Sequence, residues 1–151
     1  MAPQDISQQT LLERGMLNHI TDALRSTIDW KLHGDDLSRK LSTLRFIAQS
    51  FQRHLERVMA LEEYDGYMDM VGRLSPHLGK EVDALRQEHD TFRKAVPRIV
   101  ARFERISSTD HMRLGIVCDE LLVLLDRLEG HNRKESALLQ EAFAREGGGE
   151  G

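Results

Sequence analysis

Four long stretches of this chain place an apolar residue at every third or fourth position, the spacing of helices with one buried face. The first runs from about Ser7 to Leu32 on Leu12, Met16, Ile20, Leu24 and Ile28. The second runs from about Asp36 to Val71 on Leu37, Leu41, Leu44, Ala48, Phe51, Leu55 and Val58. The third, from about His77 to Ile106, carries Leu78, Val82, Leu85, Phe92, Val96, Ile99 and Phe103. The fourth, from about Asp110 to Arg145, carries Leu114, Val117, Leu121, Leu124, Leu128, Leu138 and Ala142. Stop signals separate them. In His33-Gly34-Asp35-Asp36 a glycine ends one helix and an aspartate caps the next. Gly72 and Ser75-Pro76 mark the second turn, and Ser107 to Asp110 the third, with Asp110 as a cap. Pro97 lies inside the third helix and predicts a kink or a split near Lys94 to Val96. Short links between long helices make neighbours antiparallel. The expected fold is therefore all-α, an antiparallel up-down-up-down four-helix bundle.

The chain has 151 residues, the size of one ordinary domain. Residues 1–146 form that domain, with 1–6 as a short lead, and 147–151 form a flexible glycine-rich tail. Charged residues make up 30% and aromatics 5%, which suits a helical bundle. The formal net charge is −4 and there is no long basic run, so nucleic-acid binding has no electrostatic footprint. Cys118 is the one cysteine, which excludes an intrachain disulfide and a cysteine zinc site. No apolar run approaches the ~20 residues that span a membrane. The opening Met-Ala-Pro-Gln-Asp-Ile lacks the regions of a signal peptide, and the expected location is cytoplasmic. No Ser-His-Asp spacing, P-loop or Gly-x-Gly-x-x-Gly motif selects an enzyme class.

The chemistry lies where the apolar stripes are interrupted. In the second helix the next inward step after Val58 is Glu62, and in the third helix His89 stands between Leu85 and Phe92. In the fourth, His131 and Glu135 stand between Leu128 and Leu138, four residues apart on one helix face. Antiparallel helices pair residues symmetrically about the turn that joins them. About a turn near 75–76, Glu62 faces His89; about a turn near 110, His89 faces His131. Glu62, His89 and His131 therefore fall at one level, with Glu135 a turn away. A buried carboxylate is costly unless it is paired, protonated or bound to metal. Imidazole and carboxylate together suit iron, manganese or zinc. A proton-sharing His–Glu network that keeps the helices in register is the competing account. His54 lies beside the second stripe and His19 flanks the first. His33, His77 and His111 fall near helix ends, where capping or solvent exposure accounts for them. Trp30 and Phe51 read as core, Met59, Met68 and Met70 as packing, and Cys118 as a small buried hydrophobe.

Three segments resemble the hemerythrin-like HHE cation-binding family. They are His54 to Met68, which contains Glu62-Glu63 and an aromatic turn; Leu85-Arg86-Gln87-Glu88-His89; and His131-x-x-x-Glu135. The resemblance spans about residues 16 to 143. It implies a four-helix bundle holding non-haem iron, in the family as a di-iron pair, with manganese or zinc as the lesser choices. It implies His54, Glu62, His89, His131 and Glu135 as the metal ligands. The chain departs from the family at three places. Val58 stands where a histidine usually precedes the second-helix glutamate, and His54 is the nearest substitute. Leu85 and Arg93 stand where oxygen carriers have a second third-helix histidine. The full histidine set of an oxygen carrier is absent, and a histidine-poor site fits better. The implied role is sensing or handling oxygen, peroxide, nitric oxide or iron, with a small diatomic or peroxide ligand as partner. A metal-free helical bundle that serves as an interaction or scaffolding module, its metal site eroded, is the alternative.

Overall fold

Residues 3–31, 37–64 and 66–148 are described in a computed structural model, with side chains described from Gln8 to Ala144. Helices α1 (Pro3–Ile28), α2 (Ser38–Glu63), α3 (Tyr67–Leu74), α4 (Gly79–Arg105) and α5 (His111–Gly148) follow one another, with a 3-10 turn at Pro76–Leu78 before α4. No strand occurs among the described residues. The four long helices α1, α2, α4 and α5 pack in a ring. Side-chain pairs fix their directions. Arg45 Nε donates to the Phe103 carbonyl at 2.9 Å while Glu62 meets His89, so α2 and α4 are antiparallel. Arg102 pairs with Glu120 and His89 meets His131, so α4 and α5 are antiparallel. Arg25 Nη2 lies 2.8 Å from Asp126 and Arg14 reaches Glu135, so α1 and α5 are antiparallel as well. The fold is the antiparallel helical bundle that the periodicity predicts.

Polar contacts hold the helix ends. Asp110 caps α5, accepting from the Arg113 amide at 3.0 Å. Lys40 Nζ donates to the carbonyls of Ile28 at 2.6 Å and Trp30 at 3.1 Å, satisfying acceptors that α1 leaves at its end. The Leu37 amide donates to the Ser108 carbonyl at 3.0 Å, tying two connections together. The Gly34 stop and His33 lie outside the described residues.

Several boundaries and faces differ from the periodic reading. The second helix ends at Glu63, not near Val71. The chain turns at Gly66, where an added Cβ would lie 2.1 Å from the Leu61 carbonyl oxygen and 2.5 Å from that of Glu62. Only glycine tolerates that approach. Gly72, read as a breaker, sits inside α3. Helix α4 runs unbroken through Pro97, with Val96, Ile99 and Phe103 buried around it. Helix α1 already begins at Pro3, and α5 extends to Gly148; the remaining tail, residues 149–151, lies outside the described residues. Trp30 is 42% exposed rather than core. The largest difference is the N-terminal half of the α1 face. Leu24 is buried and Ile20 and Ile28 pack against the core as expected, but Leu12 and Met16 are exposed, and Leu17 and Thr27 are buried outside the expected stripe. A step of four overshoots one helical turn by about 40°, so a strict run of fours drifts by about 160° between Leu12 and Ile28.

The interior divides into two apolar clusters. The larger contains Phe51, Val58, Met59, Phe92, Phe103 and Leu128. The smaller contains Met68, Val71, Leu78, Val82, Leu85, Leu138 and Ala142. Along α4 the sequence passes from Leu85 in one to Phe92 in the other, with His89 between them. Along α5 it passes from Leu128 to Leu138, with His131 and Glu135 between them. A polar layer thus separates two apolar ones. The α1 face has a direct check. Leu24→Ala should cost about 2–5 kcal/mol of stability, and Leu12→Ala no more than about 0.5 kcal/mol, measured by urea unfolding. Equal losses would contradict the observed face.

Candidate metal centre

The polar layer is built from helix positions rather than loops. Glu62 sits in the last turn of α2, His89 at the middle of α4, and His131 and Glu135 one turn apart on α5. All four are buried. One donor atom from each lies within 4.8 Å of every other. The ring nitrogens His89 Nε2 and His131 Nε2 are 3.1 Å apart, and the ring centroids are 4.9 Å apart. Glu62 Oε1 lies 3.4 Å from His89 Nε2. Glu135 Oε1 lies against His131 Nε2 and 3.8 Å from His89 Nε2.

The outer nitrogens decide how the rings are protonated. His89 Nδ1 is 2.9 Å from Glu63 Oε1, and His131 Nδ1 is 2.5 Å from Glu88 Oε2. Ionised carboxylates only accept, so each Nδ1 carries the hydrogen and donates it. Both carboxylates are ionised. Burial opposes this at Glu63, but Arg93 at 2.5 and 2.9 Å and the His89 ring hold its carboxyl below the usual range. At Glu88 the same opposition is overcome by Lys134 at 2.5 Å and by His131. With each Nδ1 so committed, the two Nε2 atoms face one another, and two bare lone pairs there would repel. Such a pair is stable only with a proton or a cation at that point. Carboxylate–histidine pairs that fix ring tautomer and orientation are what metal-binding imidazoles use.

The inner carboxylates show the same demand for positive charge. Burial and the neighbouring Glu135 push Glu62 up to about 7. Glu135 is held well below the usual carboxylate range, because contacts from His131 and His89 and the charge of Arg14 outweigh its burial. Burial disfavours a charged His89, but Glu135, Glu62 and Glu63 outweigh it and raise the ring to about 9. Glu135 Oε1 is buried, with the two facing ring nitrogens as its polar neighbours. Two imidazole nitrogens and two buried carboxylates within 4.8 Å of one another fit a divalent ion.

Of the five ligand positions that the resemblance implies, the structure gathers Glu62, His89, His131 and Glu135. His54 is not among them. Its Nδ1 lies 3.1 Å from Glu13 Oε2 on α1, and Glu13 is also held by Arg57 at 3.2 Å. Val58 and Leu85 are buried apolar walls above and below the layer, and Arg93 serves as the partner of Glu63. His19 and His77 are exposed.

The chain matches the hemerythrin HHE cation binding domain over residues 13–143. It belongs to the hemerythrin HHE family. Neither a curated protein nor a solved structure matches it. The matched range contains Glu62, His89, His131 and Glu135, together with Glu63 and Glu88.

Sequence reasoning assigned no role to four further residues. Glu63 and Glu88 orient the rings; each directly neighbours an inward residue or its helix turn, off the apolar line that was followed. Arg14 pairs with both Glu62 and Glu135. The Tyr67 hydroxyl is buried beside Glu135, and burial and the charges of Glu135 and Glu62 keep it protonated. Had the α1 stripe been drawn through Leu17 and Leu24, Arg14 would have stood out as a polar residue on the inward line.

Protonation of this centre opposes metal binding. Glu62 at about 7 and His89 at about 9 both hold protons below those values. A metal ion must displace both, and affinity changes about tenfold per pH unit for each proton released. Affinity for Mn(II) should therefore rise with pH, more steeply between pH 6 and 7 than between 8 and 9. Titration against a competing chelator measures it, and a flat profile from pH 6 to 8 would contradict the site.

Proposed function

We propose that this chain binds a non-haem metal ion, iron, through Glu62, His89, His131 and Glu135, and that the bound ion senses or handles oxygen, peroxide, nitric oxide or iron itself. The observation that carries the reading is the approach of His89 Nε2 and His131 Nε2 to 3.1 Å, with both outer nitrogens committed to carboxylates. Membership of a cation-binding family supports it. Bound iron would supply a redox couple and a coordination position for a small ligand. A cleft of about 270 Å³ adjoins His131, lined by Glu88, Phe92, Arg127, Gly130 and Lys134. Two imidazoles are fewer than reversible oxygen carriage uses in this family, so sensing or iron handling is preferred. No helix among the described residues is long and apolar enough to cross a membrane.

One observation favours a second reading, a metal-free bundle that acts as an interaction module. Arg14 contacts both buried carboxylates and so supplies a fixed positive charge without any ion. In that reading a proton held by the His89 ring stands between the facing nitrogens; the metal reading is preferred because the chain belongs to a cation-binding family.

Elemental analysis of the purified protein separates the two. Iron should be bound by the wild type and lost in both His131→Ala and Glu62→Ala. A wild type that stays metal-free after anaerobic loading with ferrous iron would overturn the metal reading in favour of the module.

A further inference from the structure

We propose that Arg14 occupies the place of a second cation, so that this centre holds a single metal ion. The proposal rests on the metal reading above and refines it. Its basis is how the two inner carboxylates divide their oxygens. Glu62 turns Oε1 toward His89 Nε2, at 3.4 Å, and gives Oε2 to Arg14 Nη2. Glu135 places Oε1 against His131 Nε2 and gives Oε2 to the same Arg14 Nη2. Both Oε1 atoms thus face the imidazoles, and both Oε2 atoms face the guanidinium. Each carboxylate spans two centres of positive charge, as a carboxylate bridging two metal ions would. Here the second centre is tethered to α1.

The charges agree. Glu62 and Glu135 together bring two negative charges, while Glu63 and Glu88 are neutralised by Arg93 and Lys134. One divalent ion plus Arg14 already exceeds the inner pair by one positive charge. A second divalent ion beside the guanidinium would leave a large unbalanced charge in a buried layer. Arg14 does not relieve this by losing a proton, because a guanidinium stays charged in proteins. Its position is built. Leu17 and Leu24 turn this face of α1 inward, and the guanidinium stands 5.7 Å from the centre of the Tyr67 ring. Removing the guanidinium would leave the two Oε2 atoms free for a second ion.

The test loads wild type, Arg14→Lys and Arg14→Gln with Mn(II), removes free metal and counts bound ions by elemental analysis and EPR. Arg14→Met, which retains packing over Tyr67, replaces the glutamine variant if circular dichroism shows that one unfolded. About one ion per chain is expected in wild type and Arg14→Lys, with the signal of an isolated Mn(II). About two are expected in Arg14→Gln, with a spin-coupled signal. Two ions in wild type, or one in Arg14→Gln, would overturn the proposal while leaving the metal centre intact. So would a wild type that binds none beside an Arg14→Gln that binds one, since Arg14 would then exclude the only ion. If no form binds Mn(II), the metal reading itself has failed and the proposal falls with it.

Discussion

Two carboxylates, Glu62 and Glu135, lie in a layer from which water is excluded, 2% and 1% exposed. Charge in such a place must be answered by charge or removed by a proton. The remaining polar residues of the interior are arranged around that demand. Arg14 meets both carboxylates from α1, and the two histidines meet them from α4 and α5. The rings are turned toward the carboxylates by Glu63 and Glu88, which are themselves neutralised by Arg93 and Lys134. Positive charge at the periphery thus allows negative charge next to the rings. That negative charge in turn favours a proton or a cation between the two inward ring nitrogens.

The apolar clusters above and below give this layer its rigidity. Its donors come from the bodies of three helices, whose positions are set by side chains such as Phe51, Phe92 and Leu128 on one side and Leu85 and Leu138 on the other. A site mounted on packed helices keeps its geometry better than one on loops. The layer also constrains the bundle. A slip of α4 by one turn would withdraw His89 from Glu63 and place an apolar residue opposite two carboxylates. The unpaired charges left behind would disfavour that register.

The bundle and the level of the centre were legible because each depends on spacing alone. Glu62, His89, His131 and Glu135 each interrupt a regular apolar series, and antiparallel pairing brings the first three to one height. What depended on close contact was not legible. The end of α2 is set by the approach of Gly66 to the Leu61 and Glu62 carbonyls, and glycine at 72 gave an equally plausible signal in the sequence. The run Leu12, Met16, Ile20, Leu24, Ile28 looked like one face although fours drift around a helix, and Arg14 was hidden by that error. His54 lay close enough to its stripe to suggest a ligand, but Glu13 on a neighbouring helix engages it. Membership of the HHE family follows from the chain as a whole. Iron, and the small molecule it would meet, are what the family resemblance implies and are proposals.

The most direct test of a charge-balanced metal layer is thermal unfolding of the metal-loaded protein with and without a strong chelator. An ion bound by the native state alone stabilises it in proportion to the logarithm of its concentration over its dissociation constant. The account predicts that chelation lowers the melting temperature by several degrees, and that Glu135→Ala, which removes one donor, melts at one temperature regardless of metal. An unchanged melting temperature on chelation of the wild type, loaded at pH 8 where Glu62 is ionised, would contradict it.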